Sequence, residues 1–584
     1  MAYILSILGT GSIQPYIFGS NSLRENIGAS ELVARATTEW VAWVLTQVLG
    51  VRHNFSVDKT SLKISYADKK TEEGSITAEV IYAGGGNMVI LFGGDNPQDT
   101  ARNVVYKWSR RVLQDAPGLD VFAAHVEYEW GSSLPQAIKQ AIDEMAMWRS
   151  RLPGTQATLG LGVTAACTST ELPANGPHPD EKNNPFANIA NRQVDVKWNF
   201  AKKATDRLRN MLNVGEEKKY VWTEDINVIG DLPGRDDSYV AVVHADGNGM
   251  GKRVKLLNDL IDICGMDPRG AIQSIRTLSK ALNETAVKSL EKTMDAILSE
   301  IQDPAHQEEG QSLVPKRKDG RECFPFRPVV FGGDDVTWVC AGPLGISAAH
   351  RYLVELEKQE LPTFSELLVA GGLEKGAAEQ TIRDFEQKNG ALPTKTPYAC
   401  AGVAIVKTHY PFFQAYEISE QLAKSAKKRV LALQPNKAAS AIDWHFTTTG
   451  LLGTLKEIRQ REYQTSDDKK LIARPYMLDP KYSWRNWQNF THLWNQFNGG
   501  WFDMRNKIMA LREALREGPT AVSQFQQLQH GKLTFPSPAI PKSAKFQDGW
   551  VKADSTEESK CAYFDPIEVE KHFVEIKASK EAQK

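Results

Sequence analysis

Two adjacent aspartates, Asp334 and Asp335, lie between two short apolar runs in the stretch RPVVFGGDDVTWVCAG, residues 327–342. Each run has the composition of a β-strand, so the stretch predicts a β-hairpin with two like charges at its tip. Neighbouring carboxylates repel each other unless a cation neutralises them, and divalent metal ions prefer oxygen ligands. Gly332 and Gly333 leave room for a bulky ligand such as a nucleoside triphosphate. The pair therefore predicts a divalent-metal site.

A third carboxylate is needed to complete such a site, and Asp246 in the stretch VVHADGNGMG supplies it. This aspartate lies at the end of a predicted buried strand that would neighbour the hairpin in a mixed sheet. Asp246, Asp334 and Asp335 are therefore the predicted catalytic and metal-binding residues, holding two Mg²⁺ or Mn²⁺ ions. In such a site one ion lowers the pKa of an attacking ribose hydroxyl and the other bridges triphosphate oxygens.

Glycine-rich and basic segments near these aspartates predict contacts to a nucleotide. The turn after Asp246 would present backbone N–H groups to phosphates. Lys427, in AKSAKKR on a predicted helix, is a point-charge partner for the β- and γ-phosphates, and Lys424 and Arg429 are weaker candidates. A solvated helix face is the alternative for Lys427. The predicted nucleotide-binding residues are Gly247, Asn248, Gly249, Gly251, Gly332, Gly333 and Lys427.

Four segments of the first half recur in the same order in the second half, which indicates an internal duplication. The first pair is a buried-strand pattern with a Gly-rich turn, and the second is a hairpin with a double glycine. The third pair reads as a strand and the fourth as a helix. The pairs are 3–18 with 239–254, 81–94 with 329–342, 160–169 with 400–409, and 200–212 with 422–434.

The first copy lacks the acidic residues of the second. Counting from the matching tyrosines of the two strands gives Thr10, Gly86 and Asn87 where the second copy has its three aspartates. Metal-dependent chemistry is therefore expected only in the second copy, and the first is expected to lend a nucleotide-binding face. Thr10 and Asn87 can hydrogen-bond a base, ribose or phosphate, or simply satisfy local turns.

The order of elements in each copy predicts a ferredoxin-like palm, in which helices cover one face of a mixed sheet. Helical periodicity covers residues 29–49, 135–150 and 269–302. The predicted fold class is α+β, with two ferredoxin-like palm domains of the polymerase and cyclase type and a helical C-terminal domain. The predicted domains are 1–225 for a degenerate first palm, 226–440 for the second palm with GGDD, and 441–584 for the helical domain.

Three further segments have distinctive compositions. The polar, Pro-rich stretches 171–188 and 303–323 predict surface loops. The stretch 482–517 is rich in Trp at helical spacing. Indoles at this spacing favour packing in a core or interface over stacking on bases.

Composition excludes several classes of protein. With 584 residues the chain exceeds one ordinary hydrophobic core, and a formal net charge of −1 excludes binding of nucleic acid through bulk charge. The net charge does not exclude binding of nucleic acid in a local basic groove. No run of about 18 apolar residues occurs and the first residues lack a signal-peptide pattern, so we expect a cytoplasmic protein with no membrane partner. The six cysteines form no CxxC pair and are expected to be free thiols.

The motifs together resemble those of the large polymerase subunit of type III CRISPR effector complexes. They are FGGDD, HADGNGMG upstream, AGVAIV…YPFFQAYEISEQLAKSAKKR downstream and SIQPYIFGSNSLRENIGASELV near the start. In that family paired palms, one with the GGDD hairpin, convert ATP into cyclic oligoadenylate when the complex binds foreign RNA. The resemblance covers most of the chain. It implies catalytic roles for Asp246, Asp334 and Asp335, and that Lys427 matches a family lysine. Its implied partners are ATP or other NTPs, and CRISPR subunits with guide RNA and target RNA.

Two departures from the family leave alternatives open. The chain starts directly in the first palm, without the HD-type nuclease domain of many members, so cleavage of single-stranded DNA is not expected. It also lacks the cysteine spacing of the family's zinc site. The protein is expected to act either in an RNA-guided complex or alone. The alternatives to a cyclic oligonucleotide synthase are a GGDEF-like cyclase with a mono- or dinucleotide product and a non-catalytic nucleotide-binding scaffold of a CRISPR ribonucleoprotein.

Overall fold

The computed structural model describes residues 2–151, 162–180, 188–211, 220–235, 237–303, 312–331, 333–434, 438–447, 453–501, 504–552 and 558–577. The strands are β1 (Ala2–Thr10), β2 (Phe55–Val57), β3 (Ile64–Tyr66), β4 (Ala78–Gly84), β5 (Asn87–Phe92), β6 (Val121–Glu129), β7 (Gly176–Pro177), β8 (Ile189–Ala190), β9 (Tyr239–Gly247), β10 (Phe326–Val330), β11 (Asp335–Ala341), β12 (Ala399–Lys407), β13 (Ala441–Thr447), β14 (Tyr476–Met477), β15 (Lys545–Gln547), β16 (Trp550–Lys552) and β17 (Lys560–Cys561).

The α-helices are α1 (Ile13–Phe18), α2 (Leu23–Ala36), α3 (Glu39–Trp43), α4 (Pro97–Asp115), α5 (Leu134–Arg151), α6 (Arg192–Met211), α7 (Ile226–Gly230), α8 (Met250–Ile263), α9 (Pro268–Ile301), α10 (Gly345–Glu357), α11 (Phe364–Ala370), α12 (Lys375–Asn389), α13 (Phe412–Leu433), α14 (Leu455–Glu462), α15 (Trp487–Gly500), α16 (Arg505–Glu517), α17 (Pro519–Leu528) and α18 (Phe564–Glu568). A π-helical turn at Val44–Val48 continues α3. The three helical stretches predicted from periodicity are confirmed as the α2–α3 segment, α5 and α9.

Two sheets with the same strand order form the centres of the two halves. The first sheet has the order β4-β5-β1-β6, and the second has β10-β11-β9-β12 followed by β13 and β14. Within each set of four strands every neighbouring pair is antiparallel. β13 then runs parallel to β12. The internal duplication predicted from the sequence is therefore present in the topology, and a mixed sheet is found in the second half, whereas the first sheet is antiparallel throughout.

Two of the four predicted repeat pairs are wrong in the first half. The counterpart of β12 is β6, because each strand pairs with its central strand on the side away from the hairpin. Residues 162–169 instead form turns and an isolated bridge from Ala166 to Pro173, and 160–161 lie outside the described residues. The helix equivalent to α13 is α5, whereas α6 packs against α2. Short apolar and Lys-rich runs look alike wherever they occur, so the sequence alone matched the wrong segments.

Helices cover both faces of each sheet, not one face as predicted. Along β9, Val240 and Val242 lie in the core beneath α13, whereas Ala241 and Val243 lie in the core formed with α9 and α10. Both sets are apolar, so both faces must be removed from water. α9 itself begins where the Asp267 carboxylate accepts a hydrogen bond from the N–H of Gly270 at 2.7 Å.

The two halves contact each other in a reciprocal way. α1 of the first half packs on α13, and α8 of the second half packs on α5. This exchange is what a pseudo-two-fold relation produces. Glu79 on β4 is fully buried and accepts hydrogen bonds from Arg269 (2.6 Å) and Arg276 (3.3 Å) of α9. Phe18 stacks on Tyr416 with ring centroids 3.6 Å apart. These contacts fix the two sheets relative to each other.

The segment beyond residue 440 begins within the second sheet. It contributes β13 and β14 to that sheet, with α14 between them in the chain, and then continues with the helices α15 to α18. Its Trp-rich stretch packs in the core, since Trp484, Trp487 and Trp501 are 5%, 6% and 2% exposed. The preference for packing over base stacking is confirmed for these three indoles.

Other described parts of the chain match the composition. The two predicted loops contain, where described, only turns, isolated bridges and β7. All six cysteines are free, and all but Cys264 are buried. Each described helix is too short or too polar to cross a lipid bilayer.

Candidate metal and nucleotide site

Asp246 and Asp335 face each other across two antiparallel strands. β9 ends at Gly247, β11 begins at Asp335, and the register pairs Asp335 directly with Asp246. Directly opposed residues project on the same face of a sheet with Cβ atoms about 5 Å apart. Alternation along β9 places Asp246 on the face of Val242, which is the face beneath α13. The sheet register thus brings together two of the three predicted carboxylates.

The hairpin turn brings Asp334 to the same place. Its carbonyl oxygen accepts a hydrogen bond from the N–H of Gly247 at 3.0 Å. A Cβ on Gly247 would lie 2.8 Å from the Cβ of Asp334, so glycine permits this close approach. Gly333 has a φ of 85°, in the left-handed region that favours glycine. Gly332, also predicted to line the site, lies outside the described residues.

The three carboxylates converge on one point. One oxygen from each of Asp246, Asp334 and Asp335 lies within 4.8 Å of the other two. Asp334 and Asp335 are open to solvent, yet protein atoms crowd their carboxyl groups from the other side. Desolvation, and then the charges of Asp334 and Asp246, raises the pKa of Asp335 to about 7. Desolvation also raises the pKa of Asp334. A set of crowded carboxylates with no nitrogen or sulfur ligand fits Mg²⁺ or Mn²⁺.

Lys427 supplies positive charge at this cluster. Its Nζ lies 2.5 Å from Oδ2 of Asp246, and the two side chains are 24% and 28% exposed, so a ligand can reach both. Lys424 instead pairs with Glu420 at 3.0 Å, and Arg429 bonds a hydroxyl of the C-terminal segment. Of the three predicted cations, the structure brings Lys427 into contact with the carboxylates.

The first backbone N–H groups at the end of β9 and in the turn that follows it donate hydrogen bonds within the protein. The N–H of Gly247 is bonded to the hairpin, and that of Asn248 donates to the carbonyl of Tyr398 at 2.7 Å. The side chain of Asn248 is 7% exposed and donates to the carbonyl of Ala439 at 2.8 Å. Contrary to the prediction, these two N–H groups are therefore not available to phosphates, because they hold the turn against neighbouring segments.

Gly249 and Gly251 lie at the N-terminus of α8. Gly249 is the N-cap residue with a φ of 75°, and a Cβ on Gly251 would meet no atom within 4 Å. The first N–H groups of a helix have no partner within it and carry partial positive charge. This end of α8 therefore keeps the predicted capacity to bind phosphate oxygens.

The equivalent place in the first half has no acidic residue. Gly9 pairs with Asn87 as Asp246 pairs with Asp335, and the N–H of Thr10 donates to the carbonyl of Gly86 at 2.9 Å. The counterpart of Asp246 is therefore Gly9 and not Thr10, because the count from the tyrosines is one residue out of register. The equivalent positions are Gly9 for Asp246, Gly86 for Asp334, Asn87 for Asp335 and Arg149 for Lys427.

Sequence reasoning missed Arg149. It occupies the same position in α5 as Lys427 does in α13, and its Nη2 donates to the carbonyl of Thr10 at 3.1 Å. A Cβ on Gly9 would lie 2.5 Å from Oδ1 of Asn87 and 3.0 Å from Nη2 of Arg149. The first half thus keeps the cation of the site without its acids. A repeat alignment that used β6 and α5 would have found it.

Sequence reasoning also missed Glu420. Its Oε1 accepts a hydrogen bond from Nε2 of Gln14 at 3.4 Å, which links the site helix to the first half. After desolvation and the neighbouring aspartates, Glu420 adds to the raised pKa of Asp335. Its spacing of seven residues from Lys427 is two helical turns and would have placed both on one face of α13.

Comparison with known proteins finds similarity to solved structures. No family model and no curated protein matches the sequence. The chain is similar to a Csm1–Csm4 cassette in complex with cA4, with 12% identity, a TM-score of 0.46 and coverage of 98% of this chain and 70% of that chain. The Csm1–Csm4 subcomplex of the type III-A CRISPR-Csm interference complex gives 12%, 0.44, 92% and 66%, and Csm1 in T.onnurineus gives 12%, 0.42, 92% and 66%. The chain spans about two thirds of the length of these Csm1 chains.

Proposed function

We propose that this chain is a metal-dependent nucleotidyltransferase that makes cyclic oligonucleotides, with ATP as substrate and cyclic oligoadenylate as product. The observation that carries the activity is the convergence of Asp246, Asp334 and Asp335 within 4.8 Å, beside Lys427. Among the described residues no other trio of His, Cys, Asp or Glu side chains comes this close. The choice of ATP and of antiviral CRISPR defence rests on the sequence motifs.

The residues of the site divide the work. Asp246, Asp334 and Asp335 would hold two Mg²⁺ or Mn²⁺ ions, which when bound activate a ribose hydroxyl and neutralise triphosphate charge. Lys427, next to Asp246, offers a point charge to the same phosphates. Gly333 has no side chain, so it leaves room for the triphosphate to reach the carboxylates. Asp335 must lose its proton before it can bind a cation, so the site is expected to work best above pH 7.

The proposed partners follow from the same motifs. We propose that the chain assembles with other CRISPR subunits carrying guide RNA and that target RNA is the activating signal. Csm1 occurs with Csm4 in solved structures, and Csm1–Csm4 cassettes have been seen with cA4, cA3, pppApA and AMPPNP. These compounds are suitable standards for product analysis.

Product analysis tests the proposal. The protein is incubated with each of the four NTPs in Mg²⁺ or Mn²⁺, and the products are separated and identified by mass. Cyclic oligoadenylate from ATP, with release of pyrophosphate, is the expected result. Cyclic mono- or dinucleotides alone would favour a GGDEF-like cyclase instead.

A matched pair of variants separates chemistry from folding. Asp334→Asn/Asp335→Asn is expected to abolish the product while circular dichroism and thermal unfolding show a folded protein. Asp467→Asn/Asp468→Asn removes the same two charges from another exposed aspartate pair and is expected to keep full activity. Equal turnover in both double variants would overturn the proposed site, and nucleotide binding without turnover in the unmodified protein would favour a scaffold.

A further inference from the structure

The α4 helix turns a basic and aromatic face to solvent. Its inward face is buried in the core of the first half, whereas Tyr106, Lys107 and Arg110 are exposed. Tyr106 is 51% exposed and Trp43, at the end of the adjacent α3, is 39% exposed. These two rings therefore offer apolar surface beside the exposed cations of α4. Together with Arg111, these four residues are called the α4 surface.

Part of the α4 surface is concave, and Tyr106 lies outside the lining of this part. A recess of about 430 Å³ lies between α4 and the end of α3, and its lining includes Trp43, Lys107, Arg110 and Arg111. This volume accommodates a group of the size of a nucleobase with its ribose. The surface lies on the first half and does not include any residue of the carboxylate cluster.

Positive charge on this surface exceeds negative charge. Arg111 pairs with Asp115 at 3.1 Å, which is the carboxylate in the lining. Lys107 and Arg110 have no carboxylate within ion-pair distance among the described residues. Since the whole chain is close to neutral, this local excess points to an anionic ligand.

The arginines hold the aromatic rings in place. The guanidinium of Arg111 lies 4.0 Å from the ring centroid of Trp43. Arg110 donates a hydrogen bond to the hydroxyl of Tyr106 at 2.9 Å. Rings fixed in this way have little entropy left to lose on binding, and both keep exposed surface on which a base can stack.

We propose that the α4 surface binds single-stranded nucleic acid. Phosphates would contact Lys107 and Arg110, and unstacked bases would stack on Tyr106 and Trp43. A duplex hides its base faces, and an acidic peptide would use the charges but not the rings. The combination of two cations without a carboxylate partner in the described part of the chain and two partly exposed rings therefore favours a single strand.

Binding of labelled oligonucleotides to the full chain tests this inference. Fluorescence anisotropy is measured with 12-mers of oligouridylate and oligodeoxythymidylate, and with an oligoglutamate peptide, over a series of salt concentrations. Lys107→Glu/Arg110→Glu is expected to weaken binding of a single strand at least 10-fold. It should also reduce the slope of log affinity against log salt by about 1 to 1.5, since each phosphate contact contributes about 0.7. Comparison of the two 12-mers shows whether RNA or DNA is preferred.

A second variant tests the rings. Tyr106→Ala is expected to weaken binding about 5-fold or more with the salt slope unchanged, because stacking is not ionic. The matched control is Lys375→Glu/Lys388→Glu, which makes the same charge change at two exposed lysines of α12. Equal affinity of the control and Lys107→Glu/Arg110→Glu would overturn the inference. Binding of oligoglutamate as tight as that of the oligonucleotides, with no effect of Tyr106→Ala, would overturn it in favour of an acidic protein partner.

Discussion

In the second half of the molecule, the hairpin tip and the end of β9 bring three carboxylates together beside one lysine. In the first half the equivalent positions of the first sheet and of α5 hold two glycines, an asparagine and an arginine. The backbone hydrogen bond that closes each tip is also the same, from Thr10 to Gly86 and from Gly247 to Asp334. The two halves therefore differ in charge at a place where their backbones agree.

This difference shows how one scaffold can support two kinds of ligand. Crowded carboxylates need a cation, whereas Arg149 beside neutral neighbours favours an anion such as phosphate. A side chain on Gly9 would meet the ends of the Asn87 and Arg149 side chains, so these two would have to move before the first half could hold an acid there. Chemistry is therefore expected in one half only, with the other as its partner.

The largest expected effect contrasts the acid of one half with its neutral counterpart. Asp335→Ala should lower the rate of product formation by about 10³-fold, since metal and nucleophile positioning are worth several kcal/mol. Asn87→Ala should lower it less than 10-fold. Steady-state rates with ATP and Mn²⁺ measure both. Similar losses in the two variants would show that the halves share the chemistry.

The next largest effect contrasts the basic side chains Lys427 and Arg149, which occupy equivalent positions in the two halves. Lys427→Met is expected to raise KM for ATP about 10-fold, because a charged contact to phosphate is lost. It should also tighten Mn²⁺ binding, since Lys427 competes for Asp246. Arg149→Met should leave Mn²⁺ binding unchanged. Calorimetric Mn²⁺ titration of both variants gives the answer, and tighter binding in Arg149→Met would contradict the separation of roles.

The contact between the halves gives a smaller effect. Glu79→Gln removes the carboxylate that Arg269 and Arg276 share, and loss of one partner of a buried ion pair costs about 3 kcal/mol. We expect Tm to fall by several degrees and activity to fall with it. Glu73→Gln, which removes an exposed partner of Lys70, is the control and should shift Tm by less than about 1 °C. An unchanged Tm in Glu79→Gln would mean that other contacts hold the halves together.

The smallest expected effect depends on pH. In the metal-free protein the pKa of Asp335 is about 7, raised from its ordinary value of 3.8 by desolvation and by Asp334 and Asp246. The folded state therefore binds the extra proton between about pH 4 and 7, and the free energy of unfolding falls as pH rises through that window. Asp335→Asn should thus raise Tm by about 2 °C at pH 8 and leave it unchanged at pH 4. Asn87→Ala should show no such pH dependence.

Strand and helix patterns explain what the sequence predicted correctly. The apolar runs of β9 and β11 and the GGDD turn between buried strands identified Asp246, Asp334 and Asp335, which the structure brings together. The periodicity of α9 identified a long amphipathic helix. The sequence did not predict the roles of residues that depend on contacts with distant parts of the chain. The sequence did not show that Asn248 is held by Ala439 or that Glu420 reaches Gln14, because these partners are far apart along the chain.

The alignment of the two halves was likewise correct for local patterns and wrong where it depended on long-range pairing. Apolar patterning located β1 and β9, yet it placed Thr10 one residue out of register and matched 160–169 with β12 in place of β6. β1 and β9 are buried on both faces, so their apolar runs do not alternate and a shift of one residue leaves the pattern almost unchanged.

Residue type and local order thus determined the existence of two related sheets and the acidic character of one of them. The tertiary structure decided which oxygens converge, that Lys427 pairs with Asp246, and that Arg149 stands in the matching place. These depend on ladder register and on how α5 and α13 pack across each sheet. Both are set by the sum of many packing contacts between distant parts of the chain, which no local pattern records.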